Sequence, residues 1–160
     1  MRNIYPTNLT DSQYETILAI IGDKRKRQRS LRDVLDALFY LLKTGFQWRM
    51  LPSDFPNWKL VYYYFRKWSR DGTLEDINDV LRNILRRKRG RPCSPSVGII
   101  DSQSVKTTRV GGENRGYDGG KRLKGRKRHI LTDTQGFLLA VKVHSLNDHD
   151  SKAGFAVIEQ

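Results

Sequence analysis

The spacing of apolar residues changes at a basic segment, residues 86–95, which reads Arg-Arg-Lys-Arg-Gly-Arg-Pro-Cys-Ser-Pro. Before this segment, apolar residues recur three and four positions apart, which is typical of amphipathic helices. After it, short runs of β-forming apolar residues are separated by turn residues, which is typical of strands. The sequence therefore predicts an α+β chain with a helical domain at 1–90, a basic linker at 91–96 and a second domain at 97–160.

Four helices are predicted in the first ninety residues. Polar residues three positions apart mark the starts of the first, second and fourth helices: Thr10 with Gln13, Ser30 with Asp33, and Thr73 with Asp76. Gly22 and Gly45 follow the first two helices as C-terminal stops. The third helix follows a loop bounded by two prolines, and its apolar residues are Trp58, Val61, Tyr62, Phe65 and Trp68.

The second half is predicted to begin with a strand at 97–102, followed by a Gly-rich basic loop at 107–125. Strands are predicted at 128–133 and 137–143, and Gln135-Gly136 between them predicts a β-hairpin. A polar cluster at 147–151 then precedes what we interpret as a helix. Because a strand, a hairpin and the first turns of a helix do not close a domain, this half resembles the opening of a larger α/β fold.

Charge indicates the kind of partner. Thirty Lys and Arg residues against seventeen Asp and Glu give a net charge of +13, which favours a polyanion such as nucleic acid. A ribosomal-type basic protein and an acidic membrane surface are the alternatives. The single cysteine, Cys93, fits a reducing compartment. No apolar run reaches the ~20 residues of a membrane span, and the N-terminus lacks a secretory signal, so we expect a soluble, cytoplasmic protein and no membrane partner.

Two groups of basic residues are candidate DNA contacts. The first group lies on the third helix, which we interpret as part of a helix-turn-helix-like reader, and comprises Lys59, Tyr63, Arg66, Lys67 and Arg70. The second group follows the first strand and comprises Lys106, Lys121, Arg122, Lys124, Arg126, Lys127 and Arg128. The alternative interpretations are that the aromatic residues of the third helix are simply core and that the cations are simply solvated.

Asp101 is the candidate catalytic residue. It ends the apolar run Val97-Gly98-Ile99-Ile100, and a carboxylate at the end of a buried strand is costly unless it is hydrogen-bonded, paired or bound to a metal. A role in a turn or a helix cap is the structural alternative. The cations that follow it in sequence favour metal-dependent phosphoryl chemistry on nucleic acid.

Several segments in the same order resemble bacterial insertion-sequence transposases of the DDE superfamily, in the branch named after insertion sequence five. The segment around Asp101 resembles the first catalytic segment of that family. The other segments that carry the resemblance are 45–52, 55–58, 116–121, 124–133, 136–139 and 147–150.

The resemblance implies an RNase H-like core in which three carboxylates hold two Mg²⁺ ions for in-line displacement at phosphorus. Asp101 matches the first carboxylate. The segments of the family that carry the second Asp and the Glu have no counterpart here, and we do not expect Asp133, Asp148 or Asp150 to replace them. This chain would then be a first reading frame or a truncated copy, and alone it is not expected to bind Mg²⁺ productively.

The implied function is transposition by Mg²⁺-dependent strand cleavage and transfer in the complete protein, with this chain alone binding DNA without cutting it. The alternative is a non-enzymatic DNA-binding regulator that inhibits transposition. Expected partners are the terminal inverted repeats of the element, the target DNA, a second copy of the chain, and a C-terminal portion encoded by frameshifting.

Overall fold

The computed structural model describes residues 4–22, 28–107, 115–147 and 157. Internal packing divides the chain into two units, Met1–Val80 and Leu81–Gln160. The first unit is helical, and the second contains an antiparallel sheet. The predicted α+β class is therefore confirmed, and the strand followed by a hairpin matches the predicted opening of an RNase H-like domain.

Four α-helices have the predicted order: α1 is Asp11–Ile21, α2 is Leu31–Thr44, α3 is Trp58–Arg70 and α4 is Thr73–Lys88, with a short 3-10 helix at Trp48–Met50. The capping box of Thr10 and Gln13 is formed at the start of α1. Ser30 caps α2 by accepting from the backbone N–H of Arg32. Gly22 and Gly45 end these helices with φ of 64° and 67°, a conformation that glycine adopts without steric cost.

The start of α4 differs in detail from the prediction. Thr73 is the first helical residue, and both its backbone N–H and its hydroxyl donate to the carboxylate of Asp71. The capping side chain is therefore Asp71, two residues before the helix, because an Asp in this position reaches the first unpaired N–H groups of the helix.

Apolar side chains from α1, α2 and α3 form the core of the first unit. Ile17, Val34, Val61 and Trp68 are each no more than 2% exposed. Asp36 is equally buried and accepts a 2.8 Å hydrogen bond from the backbone N–H of Leu9. This bond attaches the segment before α1 to α2.

The sheet of the second unit has a long central strand, β3 (Leu123–Asp133), and β1 (Gly98–Lys106) pairs with one of its edges. The other edge pairs with β4 (Leu138–Ser145) and, further along, with the short β2 (Gly116–Asp118). All of these pairings are antiparallel. The predicted hairpin is thus confirmed as β3 and β4, with Gly136 in the turn at φ 80°.

Two sequence-based interpretations of this region were wrong. Residues 123–125, which were expected at the end of the loop at 107–125, belong to β3, and residues 116–118 of the same predicted loop form β2. Because β3 starts earlier, β1 can pair along its whole length, so it extends to Lys106 and Asp101 lies in its middle. β1 is also largely exposed, so Asp101 does not bear the cost of burial that its apolar neighbours in sequence implied.

Gly125 marks a close approach between β1 and β3. A Cβ atom at this position would lie 2.0 Å from the carbonyl oxygen of Val105, which is far inside van der Waals contact. The backbone pairing of Gly125 with Lys106 therefore requires a residue without a side chain.

Some predictions lie outside the described residues. These are the part of the Gly-rich loop at 108–114 and the helix expected after the polar cluster at 147–151, of which only Asn147 and Val157 are described. Val157 is helical and buried. None of the described helices is long and apolar enough to cross a bilayer.

Candidate nucleic-acid interface

Residues of α3 line a shallow concavity of about 770 Å³. They recur at three- and four-residue spacing and so share one side of the helix. The lining consists of Lys59, Tyr62, Tyr63, Arg66, Lys67, Arg70 and Asp71. We call this the α3 groove. All five residues predicted on the third helix as DNA contacts lie in it, and each of the five is exposed.

Electrostatics make the groove positive along most of its length. Four of its lining residues are cations, and one of them, Lys67, approaches Asp71 to 3.5 Å. The hydrogen bond from the Thr73 hydroxyl lowers the pKa of Asp71 below its ordinary value. A fixed negative charge thus marks the C-terminal end of the groove, and Lys59, Arg66 and Arg70 supply most of its attraction for phosphate.

The aromatic residues of α3 divide between core and surface. Trp68 is buried, while Trp58, Tyr62 and Phe65 are half-buried. Trp48 packs against the rings of Tyr62 and Phe65 at centroid distances of 5.0 and 5.3 Å. Most of the aromatic residues therefore stabilise the fold, and Tyr63, which is 59% exposed, is the one that presents its ring to solvent in the groove.

In the second unit, register decides which cations lie beside Asp101. Asp101 pairs with Ile130, and Gln103 pairs with Arg128. Because directly opposed residues of an antiparallel pair point to the same face and neighbours in sequence alternate, Lys124, Arg126 and Arg128 share the face of Asp101. We call these residues, with Asp101 and Gln103, the Asp101 face.

Hydrogen bonds organise part of the Asp101 face. The Arg128 guanidinium donates to the side-chain oxygen of Gln103, which orients one cation along β1. The Asp101 carboxylate accepts a 2.8 Å hydrogen bond from the backbone N–H of Ser102 and remains exposed. This arrangement can receive a phosphate backbone and leaves a carboxylate oxygen accessible on the same surface.

The other predicted basic contacts of this unit lie elsewhere. Lys121 and Arg122 are exposed in the turn between β2 and β3, where the Lys121 ammonium donates to the Ser104 hydroxyl at 3.2 Å. Lys106, also exposed, and Lys127 point to the opposite face of the sheet from Asp101. Lys127 is only 7% exposed, so a buried cation replaces the expected phosphate contact at this position.

Sequence reasoning missed two features of the sheet. Gln103 was not singled out, although it holds Arg128. His129 and His144 stack on the buried side of the sheet, with ring centroids 4.9 Å apart. If the basic segment had been interpreted as a strand, the alternation of its residues would have predicted Arg126 and Arg128 on one face and Lys127 and His129 on the other.

Asp133, considered as a substitute for the second catalytic carboxylate, has a structural role. Its carboxylate accepts from the backbone N–H groups of Gln135 and Phe137 and from the guanidinium of Arg86. Burial acts to raise the pKa of Asp133, but these three donors outweigh it and lower the pKa below its ordinary value. Asp133 thus closes the β3–β4 turn, while Asp148 and Asp150 lie outside the described residues.

The described residues do not bring together the carboxylates that a two-metal centre needs. Within 4–22, 28–107, 115–147 and 157, no three His, Cys, Asp or Glu side chains form a group that could hold a metal ion. Asp101 by itself supplies one hard oxygen donor. The described residues therefore do not fit a Mg²⁺ pair, and we derive no metal-dependent step from them.

Comparison with known proteins agrees with the division into a helical and a sheet-containing part. Residues 9–78 match the family model described as "Putative transposase of IS4/5 family (DUF4096)", and residues 92–160 match the model "Transposase DDE domain". The first match spans α1 to α3, and the second spans all four strands.

A curated protein is similar to part of this chain, and no solved structure matches it. The relative is "Uncharacterized protein y4sN" of Sinorhizobium fredii, which is 32% identical over 77 residues, or 46% of this chain. The match covers 62% of that protein, so this chain spans less than two thirds of its length.

The two family models are matched in order, the first over the helical part and the second over the part that contains Asp101 and the sheet. The chain therefore belongs to the IS4/5-type DDE transposases.

Proposed function

We propose that this chain binds DNA as part of an insertion-sequence transposase, with the Asp101 face and the α3 groove as its two contact surfaces. The observation that carries the proposal is the alignment of Lys124, Arg126 and Arg128 on the face of the sheet that bears Asp101. Phosphates attracted by these cations would lie on the same face of the sheet as the carboxylate that resembles the family's first catalytic residue.

DDE transposase domains generally use a divalent metal. We propose that Asp101 is one of three carboxylates that would hold Mg²⁺ in the complete enzyme, and the bound metal would supply Lewis-acid chemistry at the phosphate. The other two carboxylates would come from a further portion of the transposase, such as a frameshift-encoded one. The part that this chain performs alone is to bind terminal inverted repeats and target DNA.

Salt dependence of DNA binding tests the proposed surfaces. Counterion release makes log K fall with log[salt] by about 0.9 for each phosphate contacted. Replacement of Lys124, Arg126 and Arg128 by Gln should therefore flatten the slope by about 2.7 if each contacts one phosphate. Replacement of Lys59, Arg66 and Arg70 by Gln should have a comparable effect.

A matched control removes the same charge from other surfaces. Arg29, Lys43 and Lys88 are exposed and belong to neither surface, so their replacement by Gln lowers the net charge equally, from +13 to +10. The control should leave most of the slope intact. Equal losses in all three variants would show that only total charge matters and would refute both surfaces.

The alternative function is a DNA-binding regulator without strand cleavage, which is favoured by the lone carboxylate of the Asp101 face. Footprinting on terminal-repeat DNA, followed by a nicking assay with Mg²⁺, separates the two. Protection without nicking by this chain fits both functions, and nicking on addition of the remaining transposase portion supports the enzymatic one. Nicking by this chain alone that Asp101→Ala abolishes would refute the need for a further portion and confirm the role of Asp101.

A further inference from the structure

The α3 groove combines an exposed aromatic ring with several cations. Its lining residues all lie on one side of α3 and leave a shallow, open depression between them. Contacts to phosphates need only the cations, whereas an exposed tyrosine among them can also stack on a base that stands out from the duplex.

The two tyrosines of the groove have different surroundings. The Tyr62 ring is packed edge-on against Trp48 at 5.0 Å and lies under the Arg66 guanidinium at 5.9 Å. Tyr63 makes an edge contact with the Tyr64 ring at 5.4 Å and is 59% exposed. Tyr64 in turn packs against the buried Trp68 at 5.1 Å, so the Tyr63 ring is supported from the core side and open toward solvent.

Cations surround the exposed ring. Lys59, Arg66, Lys67 and Arg70 lie one or two helical turns from Tyr63 on the same side of α3. An aromatic ring between cations is the combination by which proteins bind unpaired nucleotides, since the ring stacks on a base and the cations contact the flanking phosphates. Bases inside a duplex are already stacked on each other and do not offer a free face to such a ring.

We propose that the α3 groove binds an unpaired nucleotide of DNA, with Tyr63 stacking on its base and Lys59, Arg66 and Arg70 contacting the adjoining phosphates. The proposal rests on the DNA-binding function proposed above and specifies the form of DNA that one of its surfaces takes. Because stacking does not read hydrogen-bonding edges, the groove should tolerate any base at that position.

The test compares three DNA probes of one sequence with the full chain: a fully paired duplex, the same duplex with one unpaired 2-aminopurine, and the single strand. We expect the unpaired probe to bind about 5- to 150-fold more tightly than the paired duplex, with quenching of 2-aminopurine fluorescence. The single strand could also bind more tightly than the duplex that carries one unpaired base. This result would support the proposal and would show that the groove takes a continuous unpaired strand rather than a single extruded nucleotide.

Two substitutions assign the effect to the ring. Tyr63→Leu should abolish the preference and the quenching, so that this variant binds the paired and the unpaired duplex equally, and Tyr63→Phe should retain both. Equal affinity of the wild-type chain for paired and unpaired duplexes would overturn the inference and leave the DNA-binding function standing. The inference would also be overturned if Tyr63→Leu kept the preference, or if this variant lost affinity equally for all three probes. Failure of the wild-type chain to bind any DNA would refute both proposals.

Discussion

Arg86 and Asp133 form an ion pair in which the side chains are only 6% and 0% exposed. Arg86 also donates to the carbonyl oxygen of Pro92 at 2.7 Å, and Asp133 holds the backbone of the β3–β4 turn. The pair therefore joins the end of α4, the basic segment that follows it and the hairpin of the sheet. The first cation of that segment, at residue 86, thus has a structural role within the second unit.

Breaking this pair should strongly destabilise the chain. Arg86→Met leaves the Asp133 carboxylate buried with less compensation, and we expect the free energy of unfolding in urea to fall by about 3–5 kcal/mol. Lys88→Met, two residues away on an exposed position, should change it by less than about 0.5 kcal/mol. Equal effects of the two substitutions would contradict the structural role of Arg86.

The same pair predicts an acid-sensitive step. The pKa of Asp133 is lowered in the folded chain because three hydrogen-bond donors outweigh the effect of burial. Its contribution to stability is therefore complete above the ordinary carboxyl pKa of about 4 and is lost as the pH falls below it. Urea unfolding from pH 6 to pH 3 (about two units above to one below that value) should show this loss, and Asp133→Asn should show a shallower dependence at lower overall stability. An unchanged pH dependence in that variant would exclude Asp133 as the source.

A Cβ atom at Gly125 should disrupt the pairing of β1 with β3. Because this atom would lie 2.0 Å from the Val105 carbonyl oxygen, Gly125→Ala must shift the backbone, and we expect a loss of about 1–3 kcal/mol or more. Gly119→Ala is the matched control, since nothing lies within 4 Å of its added Cβ. Thermal unfolding of the two variants, followed by circular dichroism, distinguishes them, and a neutral Gly125→Ala would show that the strands are not this close.

Asp101 should matter for DNA and not for folding. Its carboxylate is exposed in the middle of β1, so Asp101→Asn should change the free energy of unfolding by less than about 0.5 kcal/mol. Removal of a negative charge beside Arg126 and Arg128 should raise DNA affinity in low salt, as measured by fluorescence anisotropy. Ser102→Ala, a neutral change in the same strand, should leave the affinity unaltered. Marked destabilisation by Asp101→Asn would instead indicate a structural carboxylate.

Asp36 should stabilise the first unit through its bond to the backbone of Leu9. The side chain is 2% exposed and the hydrogen bond is 2.8 Å long, so Asp36→Ala leaves a buried N–H unsatisfied at a cost of about 1–3 kcal/mol. Glu15→Ala, which removes an exposed carboxylate from α1, should be close to neutral. Chemical denaturation of both variants tests this difference, and a neutral Asp36→Ala would contradict it.

Local sequence signals accounted for much of the fold. The capping box at Thr10, the cap at Ser30 and the stops at Gly22 and Gly45 lie where they were predicted, because caps and left-handed glycines depend on a few neighbouring residues. The hairpin around Gly136 was predictable for the same reason. The order of motifs was also sufficient to indicate the transposase family that the family models confirm.

Strand register and burial depended on contacts between distant residues. The glycines and cations of residues 107–125 were predicted as a loop and the strand was predicted to start at 128, yet pairing with β1, β2 and β4 extends β3 back to residue 123. Only that register places Arg126 and Arg128 on the face of the sheet that carries Asp101. It directs Lys127, which lies between them in sequence, to the buried side. The sequence determined which residues could carry the chemistry, and tertiary pairing decided which of them share a face, because a strand directs neighbouring side chains to opposite sides.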